Sequence, residues 1–373
     1  MITSKLAVLF DAPRGKFQID EKPVPDPAPG KCVIKTELTG VCATDVHYWM
    51  GMGPTSPFPI PAMLGHEFCG TIHALGEGLE TDRLGNPLKI GDRVMVKPTL
   101  SCGECIWCTY YNDPTNCLHG AVYGASDYKD PFIHGGYSQY MYLFYPGSEI
   151  YRTELPPEAA CMFEPFSIGV NAVMNSTQKI GDTIVVQGAG PIGMLTMAAA
   201  KYYGAGKCIM VGGPEERLEL AKEFGADITL NILDVKDPDE RIKIIKEHSL
   251  YGLGVDRVYE CAGVPGAVSE AIQFLRTGGE LVEVGHFADA GTIEINPAYD
   301  LCAKKIRIIG SWASPSDIFV RTAIVMESRK FPVEKLITHK VGLDEITEAY
   351  GAMASDFMLW GKPILKAAVE PWK

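Results

Sequence analysis

The sequence has no apolar run long enough to cross a bilayer: the longest, around residues 192–200, falls well short of the roughly 20 residues a spanning helix needs. It also lacks a surplus of positive charge. Lys and Arg number 34 against 46 Asp and Glu, a formal net charge of −12, so a nucleic-acid backbone or an anionic membrane would repel the chain at long range. Neither partner is expected. No charged leader, apolar stretch and cleavage site open the chain, and residues 1–10 read as a first strand that turns polar at Asp11. Internal repeats and low-complexity segments are missing. A disulfide scaffold is disfavoured as well, because eleven cysteines is an odd number in a chain far longer than the small secreted domains that depend on bridges. The cysteines read instead as thiolates in a reducing cytoplasm.

What is present fits two globular domains. At 373 residues the chain exceeds the roughly 250–300 residues at which single cores stop growing, and 46% hydrophobic with 21% charged residues is a soluble, globular balance. Residues 1–162 are interrupted by Pro and Gly, as at 23–30 and 51–61, with short strand-like runs at 32–38 and 93–96 between them. Residues 163–312 alternate instead: strands at 182–186, 207–211, 254–259 and 280–284, helices at 191–203, 215–224 and 267–275. That alternation implies a parallel sheet with crossover helices. Residues 313–373 return to the mixed texture and are assigned to the first domain.

Two motifs carry chemistry on spacing alone. Gly188, Ala189, Gly190, Pro191, Ile192 and Gly193 follow a predicted strand and open a predicted helix, the context of a dinucleotide-binding, Rossmann-type fingerprint. About 20 residues on, where an acid usually holds the ribose 2′-hydroxyl, stands Gly212. Its lack of charge opens the site to NADP, while Glu215 and Glu216 lie close by. Arg217 is the nearby cation for the ribose or its phosphate, or an ordinary surface arginine, and NAD and NADP both stay open. The second motif is Cys102, Cys105, Cys108 and Cys117, spaced C-x2-C-x2-C-x8-C. Four thiolates close a tetrahedron with no position left for substrate, so the implied zinc is structural; a ferredoxin cluster would want its last cysteine sooner and a proline after it.

A third set is dispersed: Cys42, His66, Glu67 and Glu164. One thiolate, one imidazole and one or two carboxylates suit a catalytic zinc with an open position. Spacing does not assemble them, and a buried cysteine with a hydrogen-bonded core histidine is the alternative.

The segments Gly40-Val-Cys-Ala-Thr-Asp-Val-His-Tyr-Trp49, Gly65-His-Glu67, the four-cysteine run, Glu164-Pro-Phe-Ser-Ile-Gly169 and Gly188-Ala-Gly-Pro-Ile-Gly193 together resemble the zinc-containing medium-chain dehydrogenase family along nearly the whole chain. The sorbitol and threonine dehydrogenase branches are the most similar. The resemblance implies a GroES-like, β-rich catalytic domain beside the Rossmann-type domain. It also implies a catalytic zinc on Cys42 and His66, with Glu67 or Glu164 as a further ligand or holder of water. Thr44 and His47 match a proton relay. The cofactor contacts implied are residues 189–192 at the pyrophosphate, Arg217 at the ribose, and Val284, Gly285, His286, Ser311 and Trp312 near the nicotinamide. Two departures stand out: the last cysteine spacing is one residue longer than usual, and Gly212 replaces the usual acid.

The expected activity is zinc-dependent hydride transfer between a small secondary alcohol or polyol and NAD(P), with two zinc ions per chain. A zinc-free quinone or enoyl reductase and a non-enzymatic nucleotide-binding sensor are the competing readings. Tyr48, Trp49, Met50, Phe58 and Phe132 are either pocket lining or packing. The alternating run 291–296 resembles an edge strand through which family members pair, so a homodimer or homotetramer is expected.

Overall fold

The computed structural model describes residues 2–52, 59–144 and 147–373. Two compact units emerge: Met1–Glu164 with Ser314–Glu327 and Val333–Lys373, and Pro165–Ala313 with Ser328–Pro332. No helix among the described residues is long and apolar enough to cross a membrane.

In the first unit the chain forms mostly antiparallel strands because its apolar residues come in short, Pro- and Gly-bounded runs. Its larger sheet places Glu149–Arg152, Arg93–Lys97, Glu67–Leu75, Cys32–Gly40, Lys366–Val369 and Ile337–Val341 in that order, and Tyr140–Leu143 also pairs with Cys32–Gly40. A second sheet runs Phe17–Val24, Ile2–Leu9, Ala62–Leu64, Ala125–Asp127. One register matters for chemistry. Gly40 is paired with Glu67 across antiparallel strands, so the residues that follow Gly40 and the one that precedes Glu67 meet at the same end of the sheet. A Cβ on Gly40 would lie 2.1 Å from Glu67 Oε2, which is why this strand end carries glycine.

The second unit is a six-stranded parallel sheet in the order Ile228–Asn231, Lys207–Gly212, Thr183–Gln187, Val255–Glu260, Leu275–Glu283, Arg307–Gly310. Two of its inner strands, Lys207–Gly212 and Thr183–Gln187, carry continuous apolar runs, as expected when helices cover both faces. Val185, Ile209 and Val258 are fully buried in its core, each contributing about 1.5–3 kcal/mol by removal from water. The helices Pro191–Tyr202, Pro238–Glu247 and Pro265–Phe274 each begin with proline in the first turn, where its missing N–H costs nothing. Asp237 caps the second by accepting from Asp239 N–H.

The sequence pattern missed the strand Ile228–Asn231 and the helix Pro238–Glu247, both polar enough to hide their periodicity. It also placed a strand at 291–296 that does not form. Ile293 and Ile295 pack against the core of this unit without backbone pairing, and the outermost strand is Arg307–Gly310.

Candidate metal and dinucleotide sites

The short helix Ala43–Trp49 leaves the strand end beside Gly40 and carries two faces. Val46, Tyr48 and Trp49 turn into a core cluster, where Trp49 Nε1 donates to the Gly15 carbonyl at 2.6 Å. Tyr48 and Trp49 are therefore packing residues, not pocket lining; Met50 packs partly against the same cluster, and Phe132 stacks on Phe144 at 4.8 Å. Phe58 lies outside the described residues. Thr44 and His47, three residues apart and so on one helix face, are both half-buried. His47 Nδ1 is buried with no hydrogen-bond partner among the described residues, and burial lowers its pKa below the ordinary histidine value.

The register brings the ligand atoms of Cys42, His66 and Glu67 within 4.8 Å of one another. Four residues around this set were invisible to spacing arguments. Asp45, fully buried, sits with Oδ1 3.3 Å from His66 Nδ1, a contact that orients the ring. Asp45 is itself held by the Tyr137 hydroxyl at 3.3 Å, which lies 3.0 Å from the Tyr350 hydroxyl. Burial disfavours the His66 imidazolium, but Asp45 and Cys42 outweigh it and raise the pKa well above the usual value. Lys366, from the far end of the chain, sets its Nζ 2.7 Å and 2.5 Å from the two Glu67 oxygens. Burial works against the Lys366 charge, yet Glu67 and Cys42 carry its pKa above that of ordinary lysine.

Glu164, in the first turn of Phe163–Asn175, is outside that three-donor set among the described residues but feels it electrostatically. Burial pushes its carboxyl up to about 7, with His66 and Lys366 opposing and Glu67 adding to the rise.

The four-cysteine run forms a compact loop. Sulfur–sulfur separations are 3.6 Å for Cys105–Cys108, 3.9 Å for Cys105–Cys117 and 3.4 Å for Cys102–Cys117. A tetrahedral zinc with metal–sulfur bonds of about 2.3 Å has edges of about 3.8 Å, so the loop fits that ion with little movement. Backbone N–H groups of Cys105 and Cys102 donate to the sulfurs of Cys102 and Cys117. The Leu118 N–H leads in drawing the Cys105 thiol down to about 6, while burial and then Cys105 push Cys108 up to about 12.

On the parallel-sheet unit, Gly188 has φ +98° and a Cβ there would strike the backbone of Ala262 at 2.8 Å; a Cβ on Gly193 would stand 1.8 Å from the Gly188 carbonyl. Both glycines are required by close approach. Gly190 caps the helix that Pro191 and Ile192 begin, whose first N–H groups form an anion-binding end. Gly212 ends its strand with Ala189 N 2.8 Å from where a Cβ would stand, so an acid cannot be seated there without displacing that backbone. Arg217 is half-buried in the next helix, and burial lowers its pKa. Val284, Gly285 and His286 follow the strand Leu275–Glu283, and Ser311 and Trp312 follow Arg307–Gly310. Both groups thus lie at the carboxyl edge, where open parallel sheets bind ligands. Trp312 stacks on Phe287 at 4.3 Å.

Comparison with known proteins gives this geometry its family. Residues 191–324 match the family described as zinc-binding dehydrogenase, and residues 28–151 match the alcohol dehydrogenase GroES-like domain. A sorbitol dehydrogenase of Halalkalibacterium halodurans is 32% identical over 345 residues, covering 91% of this chain and 93% of its own. Among solved structures, an alcohol dehydrogenase from Thermotoga maritima aligns over all of both chains with a TM-score of 0.90 and 29% identity. A Sinorhizobium meliloti chain solved with NADP bound does so with a TM-score of 0.82 and 26% identity. The chain belongs to the zinc-binding, medium-chain alcohol dehydrogenase family, an oxidoreductase that acts on CH–OH donors with zinc and a nicotinamide dinucleotide.

Proposed function

We propose that the chain oxidises the secondary hydroxyl of a small alcohol or polyol and delivers the hydride to NAD or NADP. The observation that carries this reading is the convergence of Cys42, His66 and Glu67 within 4.8 Å, with Asp45 behind the imidazole. Thiolate, imidazole and carboxylate are a donor set that fits a catalytic zinc with one position open. When bound, that ion supplies a Lewis acid that lowers the pKa of an alcohol hydroxyl.

The chain's own residues supply the rest. Cys42 and His66 hold the ion, and Glu67 or Glu164 completes its shell or fixes a water. Thr44 and His47, on one helix face, pass the released proton outward; among the described residues His47 Nδ1 has no partner, and its lowered pKa keeps the ring neutral at pH 7, able to accept a proton and pass it on. Residues 188–193 take the pyrophosphate, Arg217 takes the ribose or its phosphate, and Val284, Gly285, His286, Ser311 and Trp312 flank the nicotinamide. The steric closure of position 212 supports acceptance of NADP without excluding NAD. Cys102, Cys105, Cys108 and Cys117 hold a second, structural zinc. These roles divide between domains at 1–162 with 313–373 and at 163–312. A polyol substrate is supported by the sorbitol dehydrogenase relative, a cytoplasmic setting by eleven unbridged cysteines, and a homodimer or homotetramer by family resemblance.

The test is a panel of secondary alcohols, polyols and hydroxy acids, each run with NAD and with NADP at 340 nm. One or more substrates should reduce one cofactor, and Cys42→Ser should abolish turnover while cofactor binding survives. Full turnover by that variant overturns the reading.

A further inference from the structure

Two glutamates face each other at the carboxyl edge of the parallel sheet. Glu260 ends Val255–Glu260, Glu283 ends Leu275–Glu283, and the two are register partners. Like charges directly opposite destabilise a sheet, and Glu260 is 0% exposed.

Nearby groups offset only part of this charge. Glu260 Oε1 accepts from Ala262 N–H at 2.8 Å and Gly263 N–H at 3.1 Å, and its Oε2 accepts from Gly263 N–H at 3.2 Å. Glu283 Oε1 accepts from the N–H groups of Gly285 and His286 at 3.0 and 3.1 Å and lies 2.9 Å from His286 Nδ1. Among the described residues, by contrast, no group donates a hydrogen bond to the buried Glu283 Oε2. An acceptor-only atom in that position calls for a donor, a shared proton or a cation.

We propose that Glu260, Glu283 and His286 form a third divalent-cation site, separate from the two zinc sites, for a borderline ion such as zinc or manganese. Their ligand atoms lie within 4.8 Å of one another, and His286 Nδ1 stands 3.7 Å from Glu260 Oε2. Ligands at about 2.1 Å from one ion sit about 3.0–3.5 Å apart, so small side-chain adjustments close the shell. Carboxylate oxygen and imidazole nitrogen are the donors these ions share. The backbone is shaped around the pair: a Cβ on Gly285 would lie 2.4 Å from Glu260 Oε2, and Gly263 has φ +68°.

The site is tested without turnover, so its failure is distinct from failure of the alcohol chemistry. Zinc-loaded full-length protein, passed over a chelating resin, is titrated with Mn2+ while the electron paramagnetic resonance signal of the free ion is followed. The parent should remove one Mn2+ per chain from solution. Glu283→Gln and His286→Gln should each weaken that uptake about tenfold or more. Their side chains are 24% and 21% exposed, so either substitution is compatible with folding, and either one alone carries the test. No uptake by the parent, or undiminished uptake by the folded variants, overturns the proposal.

Discussion

Replacing Lys366 with methionine removes the cation that holds Glu67. Lys366 is 4% exposed and Glu67 1%, and the ammonium reaches both carboxylate oxygens. With charge centres about 4 Å apart and an effective dielectric of about 20, the attraction is about 4 kcal/mol, and removing one member of a buried pair costs about 3–5 kcal/mol because the other charge is left uncompensated. For a body of about 150–250 residues that loss lowers the melting temperature by about 6–20 °C. Differential scanning calorimetry at fixed zinc concentration measures it. The double variant Glu67→Gln/Lys366→Met, which removes both charges, should recover at least half of the loss. Added zinc should also narrow the deficit of the single variant, since Glu67 offers a ligand atom within reach of Cys42 and His66. A single variant melting within about 2 °C of the parent, or a double variant melting as low as the single one, would refute the assignment of Lys366 as the partner of Glu67.

Two further predictions rest on single contacts. Asp45→Asn keeps the shape of the residue beside His66 but loses its charge, and zinc affinity at the Cys42–His66–Glu67 set should fall about 10–100-fold in competition with a chelator; unchanged affinity removes Asp45 from the site. Gly193→Ala puts a methyl 1.8 Å from the Gly188 carbonyl, so the parallel-sheet unit should lose about 1–3 kcal/mol to overpacking and bind the dinucleotide more weakly. Unaltered melting and cofactor titration would show that the turn has slack the geometry denies.

How legible each site was follows from how far its parts lie apart in the chain. The four cysteines come from residues 102–117, and a loop that short has few ways to gather four sulfurs, so spacing alone implied the metal. The glycines of residues 188–193 sit together in the chain for the same reason, and Gly193 answers a contact inside the turn itself, with the Gly188 carbonyl, although the close approach at Gly188 is to Ala262 on another strand's loop. The dispersed set was different. Cys42 and His66 meet because Gly40 pairs with Glu67, a register that no local pattern encodes. Alternation misled at 291–296, where Ile293 and Ile295 find core contacts but no strand partner.

By itself, then, the sequence determined the parallel-sheet unit, its dinucleotide turn and the four-thiolate loop, because periodicity and short-range spacing dictate them. Only the tertiary structure decided what surrounds Cys42, His66 and Glu67. Asp45 reaches the imidazole through the turn of its helix, and Lys366 arrives 299 residues from its partner on a strand paired to Cys32–Gly40. The opposed Glu260 and Glu283 are likewise a product of strand register. Charges set face to face by folding leave no trace in the spacing of a chain.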